Sequence, residues 1–269
     1  MKLIGYLFFC LVSTTSVAQN SVFKATDSIA GNFSHFSIDN FGRIYGCQND
    51  VIVQYYFQKD SLLVNSTSLK SFRPSSMESS KSFRTLVFDK ERSLVRFYDN
   101  TLTDIHGEIN LVDAGIQQPV LVCESFAGNS IWVLDGGMMR LLKLNQDLEI
   151  ILQTENLVSL FDNSQEPSQL IETNDFLYVL VPSKGVAIFD VFGTFIKMYP
   201  TNAKRIGTFH KYLLLQTNDK IHAVSTDVFM DVTFEYDLPK GVIDFFFARE
   251  KVYFLQQHQV LIGSFISSN

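Results

Sequence analysis

A chain of 269 residues with 22 basic and 28 acidic side chains, net charge −6, lacks the basic footprint of a nucleic-acid binder, and the same balance argues weakly against adsorption to an anionic membrane. Its length and 46% hydrophobic composition allow one large domain or two small ones with a substantial core. Beyond residue 19 no stretch approaches the ~20 uninterrupted apolar residues of a membrane helix, so the mature chain is expected to have no transmembrane segment.

The first predicted element is a targeting segment. Lys2 supplies a positive start, residues 3–12 form an apolar run too short to span a bilayer, and Ser16-Val17-Ala18 places small residues at a cleavage site. The expected division is a signal peptide over residues 1–18 and a single domain over 19–269, with export to the periplasm or the outer-membrane periphery, and secretion as the alternative. A lipoprotein reading of Cys10 would need a small residue before the cysteine, where Phe8 and Phe9 stand.

From residue 22 onward helical periodicity is nearly absent. Short runs of Val, Ile, Leu, Phe and Tyr, each ended by Asn, Asp, Gly, Ser or Lys, predict many antiparallel strands. An isolated strand at 22–25 is followed by a recurring apolar segment anchored at Ile44, Leu94, Ile131, Leu177, Leu213 and Val252. The intervals are roughly forty residues, the period of a four-stranded propeller blade, and six anchors predict six blades. Around Leu177 the four strands are expected at 169–173, 176–181, 185–191 and 194–199; around Ile131 at 120–125, 130–134, 139–144 and 149–153. The last blade offers only 242–247, 251–255 and 259–265, so the strand at 22–25 is expected to supply its fourth strand and close the ring. Runs such as Leu213-Leu214-Leu215 are apolar at consecutive positions, which requires cover on both faces. A β-sandwich interior would supply that cover too; the regular period favours an all-β, six-bladed propeller. Segments 71–82 and 155–167 read as long loops between blades, and Cys47 and Cys123, on different blades, as two unbridged buried thiols.

The segment Phe36-Ser37-Ile38-Asp39-Asn40-Phe41-Gly42-Arg43-Ile44-Tyr45, followed by Asp50-Val51-Ile52-Val53-Gln54-Tyr55, resembles the blade pattern of NHL-type and related six-bladed propellers. A degraded form of it covers the remaining repeats. The resemblance implies a fold over the whole mature chain and little about function, since such propellers include enzymes, ligand binders and scaffolds.

Chemistry is sparse. The five histidines, His35, His106, His210, His222 and His258, show no i, i+2 or i, i+4 metal pairing, and neither Gln48-Asn49-Asp50 nor Asn218-Asp219 exceeds an ordinary turn as a calcium loop. There is no Gly-x-Ser-x-Gly elbow and no phosphate-cradling loop, because Gly136-Gly137 falls in a hairpin. No metal or cofactor is therefore expected. Residues expected to line a central channel are His35, Glu124, Glu172 and Asp244, on or beside successive inner strands; Asp39 and Asp89 read as turn formers. Trp132 reads as blade core. Phe72, Arg73 and Phe161 lie in the two long loops and are the expected partner contacts. Together these features predict a protein-interaction or scaffold propeller, part of an envelope or outer-membrane protein assembly, more non-catalytic than catalytic. The alternative is a secreted enzyme, or a small-ligand or carbohydrate binder, that uses the channel.

Overall fold

The computed structural model describes residues 21–58, 61–79, 83–161, 165–227, 229 and 232–267; the expected signal peptide lies outside the described residues. The first strand, β1 (Ser21–Ala30), belongs to the last blade. Blade 1 comprises β2 (His35–Ile38), β3 (Ile44–Gln48), β4 (Val51–Gln58) and β5 (Ser61–Ser68). Blade 2 comprises β6 (Ser76–Glu78), β7 (Arg84–Asp89), β8 (Leu94–Asp99) and β9 (Ile109–Asn110). Blade 3 is β10 (Pro119–Glu124), β11 (Ser130–Asp135), β12 (Arg140–Asn145) and β13 (Ile150–Gln153). Blade 4 is β14 (Gln169–Glu172), β15 (Phe176–Val181), β16 (Gly185–Asp190) and β17 (Phe195–Tyr199). Blade 5 is β18 (Arg205–Phe209), β19 (Tyr212–Gln216), β20 (Lys220–Ser225) and β21 (Val232–Asp237). Blade 6 is β22 (Asp244–Ala248), β23 (Lys251–Gln256), β24 (Gln259–Ser267) and then β1.

The chain is a six-bladed β-propeller closed by its N-terminal strand. β1 pairs antiparallel with β24 from Ser21↔Ser267 to Ala30↔Gln259, and a parallel pair Ser21↔Tyr236 also ties it to blade 5. Consecutive apolar residues on the second strands follow from stacking, since each such strand is covered on both faces by neighbouring blades. Residues 130–135 of β11 and 177–181 of β15 are buried throughout, whereas the outer strand β5 is largely exposed.

Among the described residues the core divides into one apolar cluster per cleft between blades, and in five of the six clefts the connection from an outer strand to the next inner strand drops a buried plug. Phe72 and Leu69 fill the cleft between blades 1 and 2, Ile116 that between 2 and 3, Phe161 and Leu157 that between 3 and 4. Ala203 sits between blades 4 and 5, and Phe33 between 6 and 1. Phe33 lies so close to blade 1 that a Cβ on Gly46 would meet its ring at 2.4 Å, which fixes glycine there. Trp132 and Cys123 join the cluster between blades 3 and 4 and Cys47 that between 1 and 2, so the two buried thiols lie in different clefts.

Blade 2 departs from the expected register. Leu94 lies on the third strand, β8; the counterpart of the other anchors is on β7, around Leu86. The inner strand β6 is a three-residue Ser-Met-Glu segment inside the stretch read as a loop. It is too short and polar to register as a strand. Phe72 and Phe161, expected as exposed anchors, are instead 0% and 2% exposed, because the connections that carry them cross the tops of the clefts.

Four turns repeat one local device. Asp39, Asp99, Asn145 and Asp190 each accept hydrogen bonds from the backbone N–H groups two and four residues on, with the third residue in a left-handed conformation. The short side chain mimics a turn of backbone and closes the hairpin. Asp39 and Asp89 are thus turn formers; Asp89 accepts from the N–H groups of Arg73 and Arg92.

Candidate functional site

The inner strands β2, β6, β10, β14, β18 and β22 surround the axis, each in contact with its two neighbours. They run the same way along it. Their first residues therefore meet at one mouth, and the turns that follow them meet at the other, together with the turns between third and outer strands. The second of these is called the turn face below.

Neighbouring inner strands are not hydrogen-bonded as a sheet, so their backbone groups need other partners. Side chains supply them. Ser37 Oγ accepts from the Ser79 N–H at 2.8 Å, a Glu78 carboxylate oxygen from the Glu124 N–H at 2.8 Å, and Gln169 Oε1 from the Ile206 N–H at 2.6 Å. Glu172 accepts from the Phe126 N–H, from Trp132 Nε1 at 2.7 Å and from Lys143 Nζ at 2.9 Å. Glu124 is fully buried and bound by the Arg84 guanidinium, which also lies 4.5 Å from the Phe97 ring centroid. Two of the four residues expected to line the channel, Glu124 and Glu172, thus hold blades to one another.

The other two stand at the first-residue mouth. His35 and Asp244 begin β2 and β22, and both feel the charge of Arg205 at the start of β18. Burial pushes the Asp244 carboxyl above the usual range, and the Arg205 charge and a bond from the Phe245 N–H offset this only in part. His35 is pushed down, first by burial and further by Arg205, against a backbone contact with Ser75. Asp244 lines an axial cavity of about 1070 Å³ that also takes in Ser76, Glu78, Gln169 and Glu172 and reaches the turn face at Phe126, His210 and Arg249. Among the described residues no three His, Cys, Asp or Glu side chains gather as a metal site.

A raised folded pKa means that the contribution of Asp244 to stability is whole below its unfolded value and is lost as pH rises through the folded one. Asp244→Asn is therefore expected to gain stability over the wild type as pH rises from acid to neutral and to match it in acid. Urea midpoints across that range check this; an advantage that grows toward acid would contradict it.

The turn face carries a different feature, which the sequence reading missed. Phe41, Phe57, Phe83, Phe126 and Phe192 stand there, between 46% and 69% exposed. Phe41, Phe126 and Phe192 each precede a turn glycine by one or two residues, and an aromatic ring at the tip of a glycine turn was the available signal. Phe41 and Phe83 touch at 5.1 Å, and both line a groove of about 610 Å³ with Tyr56, Phe57, Arg43, Arg249, Lys251 and Tyr253. Arg73, the third expected partner contact, is solvent-exposed beside Glu91, in the connection that buries Phe72.

No family model matches the chain, and no curated protein does either. Solved structures match well. Virginiamycin B lyase from Staphylococcus aureus aligns over 91% of this chain and 100% of its own at a TM-score of 0.62 and 12% identity. BamB from Moraxella catarrhalis aligns over 92% and 99% at 0.53 and 11%, and the Pan2 WD40 domain of Neurospora crassa over 91% and 96% at 0.55 and 11%. What they share with this chain is the propeller. An enzyme and a WD40 domain both match it, and identities this low carry the fold and leave function to the residues of this chain. Among the described residues no helix is long and apolar enough to cross a membrane.

Proposed function

We propose that this propeller is an exported, non-catalytic binding scaffold of the cell envelope, working in the periplasm or at the outer-membrane periphery as part of a protein assembly. The observation that carries the reading is the set of exposed phenylalanines on the turn face, beside an axis whose buried carboxylates Glu124 and Glu172 are engaged in joining blades. Exposed aromatic side chains on a rigid frame give large contact area at little entropic cost, as at the centres of protein interfaces. The apolar run and Ser16-Val17-Ala18 support export.

Affinity purification of the tagged chain from native envelopes tests this. A stoichiometric partner is expected, and replacing Phe83, Phe126 and Phe192 together by serine is expected to release it while the fold persists. Recovery of the chain alone, or from the cytoplasm with residues 1–18 still attached, would overturn the reading.

One observation favours a second reading, binding of a small ligand on the axis: Asp244, Glu78, Gln169 and Glu172 line a cavity large enough for one, and Arg205 lies near enough for its charge to act on Asp244. A small-molecule thermal-shift screen distinguishes them. A ligand whose stabilisation disappears in Arg205→Ala would support the axial site; the same shift in both proteins would remove it.

A further inference from the structure

We infer that the groove between Phe41, Phe57 and Arg249 binds an extended segment of a partner protein in which an aromatic side chain is flanked by Asp or Glu. This rests on the protein-binding reading and names the kind of partner. Three features build the groove. The β4–β5 hairpin outruns its blade: β3 pairs with β4 only as far as Tyr55, while β4 and β5 stay paired to Gln58↔Ser61, so Tyr56 and Phe57 rise beyond the blade as a wall. Gly42, Arg43 and Tyr253 form the floor, and Phe83 of blade 2 closes one side. Arg249 and Lys251 of blade 6 form the opposite rim.

The charges say what fits. Arg249 Nε donates to the Asn40 carbonyl at 2.7 Å, which holds its guanidinium 5.2 Å from the Phe41 ring centroid. Arg43 lies 5.3 Å from the same ring, but its charge is matched by Asp39 at 2.5 Å. Among the described residues Arg249 and Lys251 have no carboxylate partner, in a chain whose net charge is −6. An aromatic bed beside two cations with no carboxylate partner among the described residues suits a side chain that stacks between others that carry negative charge. A nucleic-acid strand also combines stacking with phosphate, but only two cations on an acidic protein favour the peptide over a polyphosphate backbone.

Selection of short random peptides on the refolded or native full-length mature chain, followed by anisotropy titration of the enriched sequences, tests this. The expected peptides carry an aromatic residue flanked by acidic ones, and their binding weakens as salt rises. Phe41→Ser and Arg249→Glu, each with an unchanged melting curve, are expected to weaken binding at least about tenfold. Met138→Ser, on the opposite face, is expected to leave it unchanged. The inference is overturned if nothing is enriched, if enriched peptides lack acidic residues, if both groove variants bind as the wild type does, or if oligo-dT displaces the peptides with equal affinity. A partner that co-purifies equally with wild type and both variants would overturn the groove and leave the scaffold reading standing. Recovery of the chain alone from envelopes overturns the scaffold reading itself.

Discussion

A chain beginning at residue 31 is expected to lose its cooperative thermal transition. β1 contributes nine registered pairs to β24 and supplies the outer strand of the last blade. It places Ile29, 4% exposed, in the cleft between blades 6 and 1, and Phe23 against Phe254 at 4.8 Å in the cleft between 5 and 6. Two large apolar side chains are worth roughly 1.5–3 kcal/mol each when fully buried. The ladder's hydrogen bonds add roughly 0.5–1.5 kcal/mol apiece. That sum is comparable with the whole net stability of a domain, about 5–15 kcal/mol. Removal also leaves the nine-residue edge of β24 unpaired, a template for aggregation. Circular dichroism on heating reads the result. A peptide of residues 21–30 added in trans is expected to restore the transition, and a deleted chain that melts within about 5 °C of the intact one would show that the ring does not depend on its closure.

That closure was legible because it is a matter of counting: a last blade with three strands and an unassigned strand at the other end. Blades 3 and 4 were legible strand by strand, since their second and third strands are covered on both faces and their turns carry Asn, Asp and Gly. Blade 2 was not. Its inner strand, Ser76–Glu78, carries one apolar residue, Met77, so nothing alternates, and the anchor slid one strand along to Leu94. Phe72 and Phe161 were misplaced for a related reason. An aromatic residue among serines reads as a loop anchor, but these connections lie over clefts, and whether such a residue turns inward depends on the neighbouring blade. The same non-locality hid the roles of Glu124 and Glu172, whose partners Arg84 and Phe126, Trp132 and Lys143 stand 40, 46, 40 and 29 positions away. Carboxylates placed by blade spacing around an axis look alike in sequence whether they face a ligand or fasten a strand; the distinction lies in donors that only the closed ring brings near.

Glu172 makes that distinction measurable. Glu172→Ala is expected to destabilise the propeller by about 3–5 kcal/mol, the cost of leaving a buried charge without its partner. The orphaned groups are specific: the Lys143 ammonium, whose side chain is 13% exposed and lies 5.2 Å from the Trp132 ring centroid, and the indole N–H of Trp132 inside the cleft between blades 3 and 4. For a chain of this size the loss corresponds to a fall in melting temperature of roughly 10 °C. Removing both charges tests the cause. Glu172→Leu combined with Lys143→Met is expected to recover most of the loss, because an apolar pair in the same space leaves no buried ion. Acidity gives an independent check. Burial pushes the Glu172 carboxyl up, but the Lys143 ammonium, the Trp132 and Phe126 N–H groups and Ser125 together outweigh it and hold the carboxyl below its ordinary 4.5. With the folded pKa depressed, the contribution is whole above the unfolded value and is lost as pH falls through the folded one. The gap between wild type and Glu172→Ala should thus stay constant near neutrality and narrow only in acid. A gap that persists undiminished at about pH 2 would assign the loss to packing around the side chain rather than to its charge.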